Sequence, residues 1–291
     1  MADQARGTIT GIIAAIAVGA FVAWAGSDGS AMVGSVAVFA LCGFLAYLIN
    51  WLVFIPSNAA KTEKYFDLTG SLTYVAITLV AVMLSGDLDA RALIAAGMVI
   101  VWAVRLGTFL FQRIRESGKD VRFDVLKASA LRFLMTWTLQ GAWILLTAAA
   151  ALAIITSLDR KELDWWALLG IVLWLAGFAI EVAADRQKSA FRNDPANKGR
   201  FISSGLWAWS RHPNYFGEIS LWTGVAIMAV PILSGWRWVV LISPIFVTLL
   251  LTRISGVPIL ERRADDRWGE EAAYREYRDS TPVLVPRPPA N

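Results

Sequence analysis

The densest collection of reactive side chains lies at residues 200–218, RFISSGLWAWSRHPNYFGE, which hold Arg200, Arg211, Asn214, Tyr215, Glu218 and His212, the only histidine of the sequence. Long apolar segments flank this stretch on both sides, so its polar groups belong at the edge of a membrane-embedded bundle. Pro213 lacks an amide hydrogen, and Gly205 and Gly217 accept unusual dihedrals, so the backbone can turn back and expose amide groups. Basic side chains, amide donors and the aromatic faces of Trp207, Trp209 and Tyr215 together suit a phosphate-bearing cofactor. A basic loop touching lipid headgroups is the competing reading.

Three further clusters fall on the same side by charge distribution. Residues 58–73, NAAKTEKYFDLTGSLT, carry Glu63, Tyr65 and Asp67, and Tyr74 follows; all four can donate or accept protons. Arg105 stands deep in an apolar segment, where an arginine ordinarily faces the bundle interior and pairs with an anion or a carbonyl. Arg113 lies eight residues on, close to the same helix face. Glu181 and Asp185 fall one helical turn apart, with Arg186, Lys188 and Arg192 next to them. Carboxylates beside basic groups suit a ribose hydroxyl next to a phosphate, and they equally suit mutual salt bridges. Arg253 and Glu261, at the start of the tail, join the 200–218 cluster. The chain has no G-x-G-x-x-G, Walker, H-E-x-x-H or G-x-S-x-G pattern, so Rossmann-type nucleotide binding and acyl-enzyme chemistry have no support.

These groups need elements to hold them. The 291 residues are 57% apolar and 17% charged, against about 25% charged in soluble domains. Apolar segments run at 8–26, 32–55, 69–85, 91–111, 133–156, 164–183, 219–233 and 237–253, with Pro231 and the Ser234–Gly235 pair able to break the last two or merge them as one interrupted element. The expectation is an all-α, polytopic integral membrane helical bundle of seven or eight transmembrane helices, with a cofactor cavity facing the cytosol. The first segment is read as a retained span, since the leading MADQAR carries no net positive charge. Of the 27 Lys and Arg residues, only Arg91, Arg160, Lys161 and Arg237 fall on the outward side and Arg105 within a span. The rest, including the basic loop with Arg113, Arg115, Lys119 and Arg122, fall inward, which favours eight crossings with both ends in the cytosol. The net charge of +4 is spread over loops and forms no nucleic-acid stripe. One cysteine, Cys42, and one histidine cannot build a disulfide framework, a cysteine-based metal site or a histidine-rich one. The chain reads as one membrane-embedded domain over 1–291, with N-terminal spans at 1–57, a catalytic bundle at 58–253 and a cytosolic tail at 254–291. Trp268, Tyr274 and Tyr277 are spaced to give the tail an amphipathic face.

The order ADRQK, FR, GLWAWSRHPNYFGE, SGVPILE and TPVLVPRPP resembles the bacterial membrane proteins grouped with the C-terminal domain of steroid 5α-reductases, from about residue 58 to the C-terminus. The resemblance implies an inner-membrane enzyme that uses NADPH to reduce the C4–C5 double bond of a 3-oxo-Δ4-steroid. It implies that Asn214 contacts the nicotinamide carboxamide or nearby groups and that Asp185 lies near the adenosine. Arg105, Arg192 and Arg211 become phosphate candidates, and Arg253 closes the cofactor side. Glu181, Arg200, His212, Tyr215, Glu218 and Glu261 complete the expected cofactor set. Reductases of the human type polarise the steroid carbonyl with a glutamate and a tyrosine. Here Trp102 takes the tyrosine position, which leaves Glu63, Tyr65, Asp67 and Tyr74 as candidates for that work. The expected partners are an apolar, flat substrate entering from the bilayer and the membrane itself, with no nucleic acid and no obligate protein partner. The RHP core, with His212 and Glu261, also resembles isoprenylcysteine carboxyl methyltransferases, which use S-adenosylmethionine. A non-catalytic transporter or scaffold is the third reading.

Overall fold

The computed structural model describes residues 2–117 and 122–289. Lys119 lies outside them, and the side chains of Arg113, Arg115 and Arg122 are likewise not described. The described chain is helical almost throughout: α1 (Ala2–Gly26), α2 (Val38–Ala59), α3 (Phe66–Leu84), α4 (Ala90–Ser117), α5 (Arg122–Lys127), α6 (Ala130–Thr156), α7 (Trp165–Asn193), α8 (Pro213–Ala229), α9 (Ile242–Leu249), α10 (Val257–Trp268) and α11 (Ala272–Ser280). A two-strand hairpin, Met32–Val33 with Val36–Ala37, stands between α1 and α2. Eight helical segments among the described residues are long and apolar enough to cross a membrane, so the protein is a polytopic all-α membrane protein. The break near Pro231 is real. Val230–Ile232 is a 3-10 turn and Gly235 takes φ +51°, so the segments on either side count as separate spans.

The chain forms two compact units, Met1–Ala167 with Met228–Ser243, and Leu168–Ile227 with Pro244–Asn291. In the first unit α6 is the central post, with 89% of its apolar window buried. Its small residues explain why. A Cβ on Gly141 would stand 3.0 Å from the Tyr47 backbone, and one on Gly43 of α2 would stand 3.2 Å from Leu145. Lipid tails are as apolar as leucine, so close van der Waals packing of small residues is what draws such helices together. The Cys42 thiol bonds the Ile77 carbonyl (3.3 Å), and Gln140 donates to the Phe66 carbonyl (3.0 Å), fixing α2 and α6 against α3. At one end of this unit Phe66, Phe123, Phe133 and Trp137 form an aromatic cluster.

The second unit is built on the pairing of α7 with α8. A Cβ on Gly177 would fall 2.6 Å from the Gly217 carbonyl, and one on Gly224 would fall 2.5 Å from that of Gly170. Two pairs of glycines, each spaced seven residues along its helix, thus let the two backbones touch. Both helices outrun the apolar segments read from sequence. α7 continues to Asn193 rather than ending near 183, and α8 begins at Pro213 rather than 219. Hydropathy ends where polar residues begin, but a helix with one buried face has no reason to stop there.

Candidate functional site

The RHPNY residues form the entry and first turn of α8 rather than a free loop. Pro213 takes the first helical position, where its missing amide hydrogen is no loss and its fixed φ suits the helix. The preceding His212 is 4% exposed. Its Nε2 lies 2.8 Å from Glu261 Oε1, and the other carboxylate oxygen takes Arg211 at 3.1 Å. The imidazole stacks on Tyr215, with centroids 5.4 Å apart and planes 9° from parallel. Gly256 admits this ring, since a Cβ there would come within 2.8 Å of Tyr215.

Backbone contacts hold the turn in place. The His212 amide donates to Ser210 Oγ (3.1 Å), and that hydroxyl donates to the Leu284 carbonyl (2.8 Å). The Arg211 amide donates to the Pro282 carbonyl and the Arg287 amide to the Trp209 carbonyl, both at 2.9 Å. Residues 282–287 therefore run as a strap along 209–211. The tail's aromatic face is assembled from two helices rather than one, with Trp268 at the end of α10 and Tyr274 and Tyr277 on α11. Phe201 meets Trp268, Tyr274 and Tyr277 at centroid distances of 5.2–6.0 Å, and the Tyr277 hydroxyl donates to the Trp207 carbonyl (2.7 Å). Trp207 in turn donates to the Ala184 carbonyl (3.0 Å) and carries the Lys188 ammonium over its ring at 4.4 Å. Ser210 and the strap were not legible as site residues, whereas Trp207 was, as one of the aromatic faces beside the RHP triplet. Ser210 has one sequence signal, that it directly precedes the RHP triplet, and the strap lies about seventy residues away from it.

Burial pushes the His212 imidazole below its ordinary range; Glu261 opposes this, while Lys188 and Arg211 add to it. The ring is therefore neutral near pH 7, and because a carboxylate only accepts, Nε2 carries the proton. His212 Nδ1 and Arg211 Nε are buried without a hydrogen-bond partner among the described residues. The cluster thus keeps capacity for a polar ligand, and with Asn214 half-buried in the same helical turn the residues fit a nucleotide cofactor. Burial also raises the phenols behind it, Tyr274 to about 12 and Tyr277 higher still, so both stay protonated donors.

The other expected residues are distributed as follows. Glu181 and Asp185 are buried on α7 at 2% and 6% exposure, and the same close crossing brings the Glu181 backbone against Gly217. Glu218 is half-buried, while Arg192, Arg200 and Arg253 are exposed, the last on a π-helical turn at Leu250–Ile254. A groove of about 400 Å³ at the end of α7 is lined by Gln187, Phe191, Asp194, Asn197, Ile202 and Ser204, none of them in the His212 cluster. Arg105 and the four acid candidates belong to the first unit. Glu63 is buried and ion-paired with Lys127, whose ammonium that bond holds above its ordinary range. Tyr65 is 54% exposed and Asp67 half-buried. Tyr74 is buried, edge-on to Trp102 at 5.1 Å and 89°. Trp102 thus has a phenol beside it, supplied by the neighbouring helix. Arg105 lies over the Phe109 ring at 5.3 Å.

Residues 53–281 match the family described as a protein of unknown function (DUF1295). The chain is 32% identical over 129 residues to a protein of Gossypium hirsutum named steroid 5-alpha-reductase DET2, covering 44% of this chain and 45% of the relative. It is 27% identical over 120 residues to one of Rattus norvegicus named 3-oxo-5-alpha-steroid 4-dehydrogenase 1, covering 41% and 40%. The chain spans less than half the length of either relative. No solved structure matches it.

Proposed function

From the premise that the chain belongs to the DUF1295 family, we propose that it is a membrane reductase that uses NADPH to saturate the C4–C5 double bond of a 3-oxo-Δ4-steroid or a similar apolar enone. The observation that carries this reading is the buried cluster at the entry to α8, where His212 and Arg211 share Glu261 and keep polar atoms for a ligand. Asn214 and Tyr215 would hold the carboxamide end of the cofactor, Asp185 and Glu181 its ribose hydroxyls, and Arg192 and Arg200 its phosphates. The cofactor would supply the hydride.

The chain's own task is then to stabilise charge on the carbonyl oxygen and to hold a proton for the adjacent carbon. Among the acid candidates Tyr74 suits the first task best, being buried within a span against Trp102, whereas Glu63 is occupied by Lys127 and Tyr65 is exposed. The substrate would enter from the bilayer. The inward excess of basic residues supports an inner-membrane protein with both ends in the cytosol.

The test is the thermal midpoint of the purified protein in detergent with NADPH, NADH and S-adenosylmethionine side by side. Selective stabilisation by NADPH is expected, since a ligand that binds only the folded state must raise its stability. Stabilisation by S-adenosylmethionine alone would replace reduction with methyl transfer.

A further inference from the structure

We infer that His212 meets its ligand as a neutral hydrogen-bond acceptor, through Nδ1, taking an N–H or O–H group of the bound cofactor rather than a phosphate. This rests on the cofactor reading above and deepens it. A histidine between an arginine and a helix N-terminus invites the opposite assignment, a cation for phosphate, and the surroundings of this ring argue against that.

Both oxygens of Glu261 are spoken for, Oε1 by His212 Nε2 at 2.8 Å and Oε2 by Arg211 at 3.1 Å. One carboxylate therefore already balances one guanidinium. A second positive charge on the ring would face Arg211 from the same loop and Lys188 from α7, with Glu261 of α10 as the opposing charge, among the described residues. The N-terminus of α8, one residue away, carries the positive end of its helix dipole and adds to that repulsion. Protonation would also place an N–H donor at Nδ1, a buried position with no acceptor among the described residues. An unsatisfied buried donor is costly, and more so when charged. The neutral ring avoids both penalties and leaves a lone pair at Nδ1. The ring cannot readily turn away, because Tyr215 covers one face and Pro213 fixes the backbone that follows. A lone pair held in that way selects a neutral donor, such as the carboxamide amide of the nicotinamide or a ribose hydroxyl.

His212 is the only histidine, so full-length protein labelled with ring-¹⁵N histidine gives a single pair of ring nitrogens. Spectra are recorded in detergent near neutral pH without ligand, with saturating NADPH and with 2′-phospho-ADP-ribose, which lacks the nicotinamide. The thermal midpoint of each sample reports binding separately. Expected without ligand is a proton on Nε2 and a bare Nδ1. With NADPH, Nδ1 should shift as an acceptor does while Nε2 keeps its proton. A shift with NADPH alone assigns the donor to the nicotinamide base, and a shift with both assigns it to the part the two ligands share, a ribose hydroxyl or the adenine. Protonation of both nitrogens, or an unmoved Nδ1 when the midpoint shows NADPH bound, overturns the inference and leaves the cofactor reading standing. No binding of NADPH overturns that reading and the inference with it. As a second measurement, His212→Lys should weaken NADPH by about tenfold or more, since a fixed cation cannot accept. Unchanged or tighter binding by that variant returns the phosphate role to this position.

Discussion

Two regions of the molecule bury basic side chains, and they use them in opposite ways. In the first unit Arg91, Arg160 and Arg237 direct their donors mainly at main-chain carbonyls. Arg91 reaches those of Met228 (2.8 Å) and Glu162 (2.7 Å), Arg160 those of Ile155 and Ser85 (both 3.1 Å), and Arg237 those of Asp28 and Ile232, with Ser157 Oγ at 3.0 Å. Several of these carbonyls end helices, where acceptors lack intrahelical partners and the dipole is negative. In the second unit Arg211 and His212 converge on a side chain, Glu261, and leave over a lone pair as well as a donor. Arg91 Nε and Arg237 Nη2 are also unspent among the described residues, but a guanidinium has five donors, and these two have placed others on the scaffold. The identity of the partners, rather than depth of burial, separates a charge that fastens the fold from one that is kept for a ligand.

The largest effect should come from the fastening region. Arg91→Met removes a 1%-exposed guanidinium and strands two carbonyls and Asp164, at a cost of about 3 kcal/mol or more. The readout is denaturant or thermal unfolding in detergent, and the molecules that remain folded should bind NADPH as the wild type does. A loss of affinity with no loss of stability would erase the distinction between the two regions. A smaller and different effect is expected of Glu261→Gln. This isostere removes the charge shared by Arg211 and His212, and NADPH binding should weaken by about tenfold while stability falls by only about 1 to 2 kcal/mol, as for a partly exposed pair. Titration of NADPH by fluorescence, paired with unfolding curves, gives both numbers from one preparation. Stability loss as large as that of Arg91→Met, with affinity intact, would make the Glu261 cluster another fastening.

How much of this could be read in the sequence follows the same division. Apolar periodicity is a property of single segments, so the eight spans and the interruption near Pro231 were legible. The RHPNYFGE stretch announced itself because polar residues between apolar runs are rare. Contacts over distance were not legible. Arg91 counted as an outward loop charge, yet it sits in the first turn of α4 and reaches a carbonyl 137 residues away. Glu63 counted as a candidate proton donor or acceptor, yet its ion-pair partner Lys127 is 64 residues on. Glu261 could be placed with the 200–218 cluster by charge distribution, but its direct contact with His212 could not be read, since 49 residues and two apolar segments separate them. Ser210 is a serine among serines until the strap from Leu284 is seen lying beside it.

Acid titration should separate the regions with the smallest perturbation. The His212 pKa is depressed in the folded protein by burial, with Lys188 and Arg211 adding to the effect and Glu261 opposing it. In the unfolded chain the ring titrates near its ordinary 6.5. As pH falls below that value the unfolded state takes up a proton that the folded state refuses, so stability declines until the folded ring also protonates. The His212 contribution is therefore fully present above 6.5 and is lost as pH falls through the folded pKa. The fastening region responds later. Burial works to raise the Asp164 carboxyl, but the Ala167 amide and Arg91 together hold it below its ordinary 3.8, so its contribution is lost only at still lower pH. Thermal midpoints in detergent between about pH 5 and pH 8 should slope downward toward acid in the wild type, and the slope should flatten in His212→Gln, which has nothing to titrate there. An equal slope in both proteins would assign the proton uptake to another group and remove the argument that the ring is held neutral.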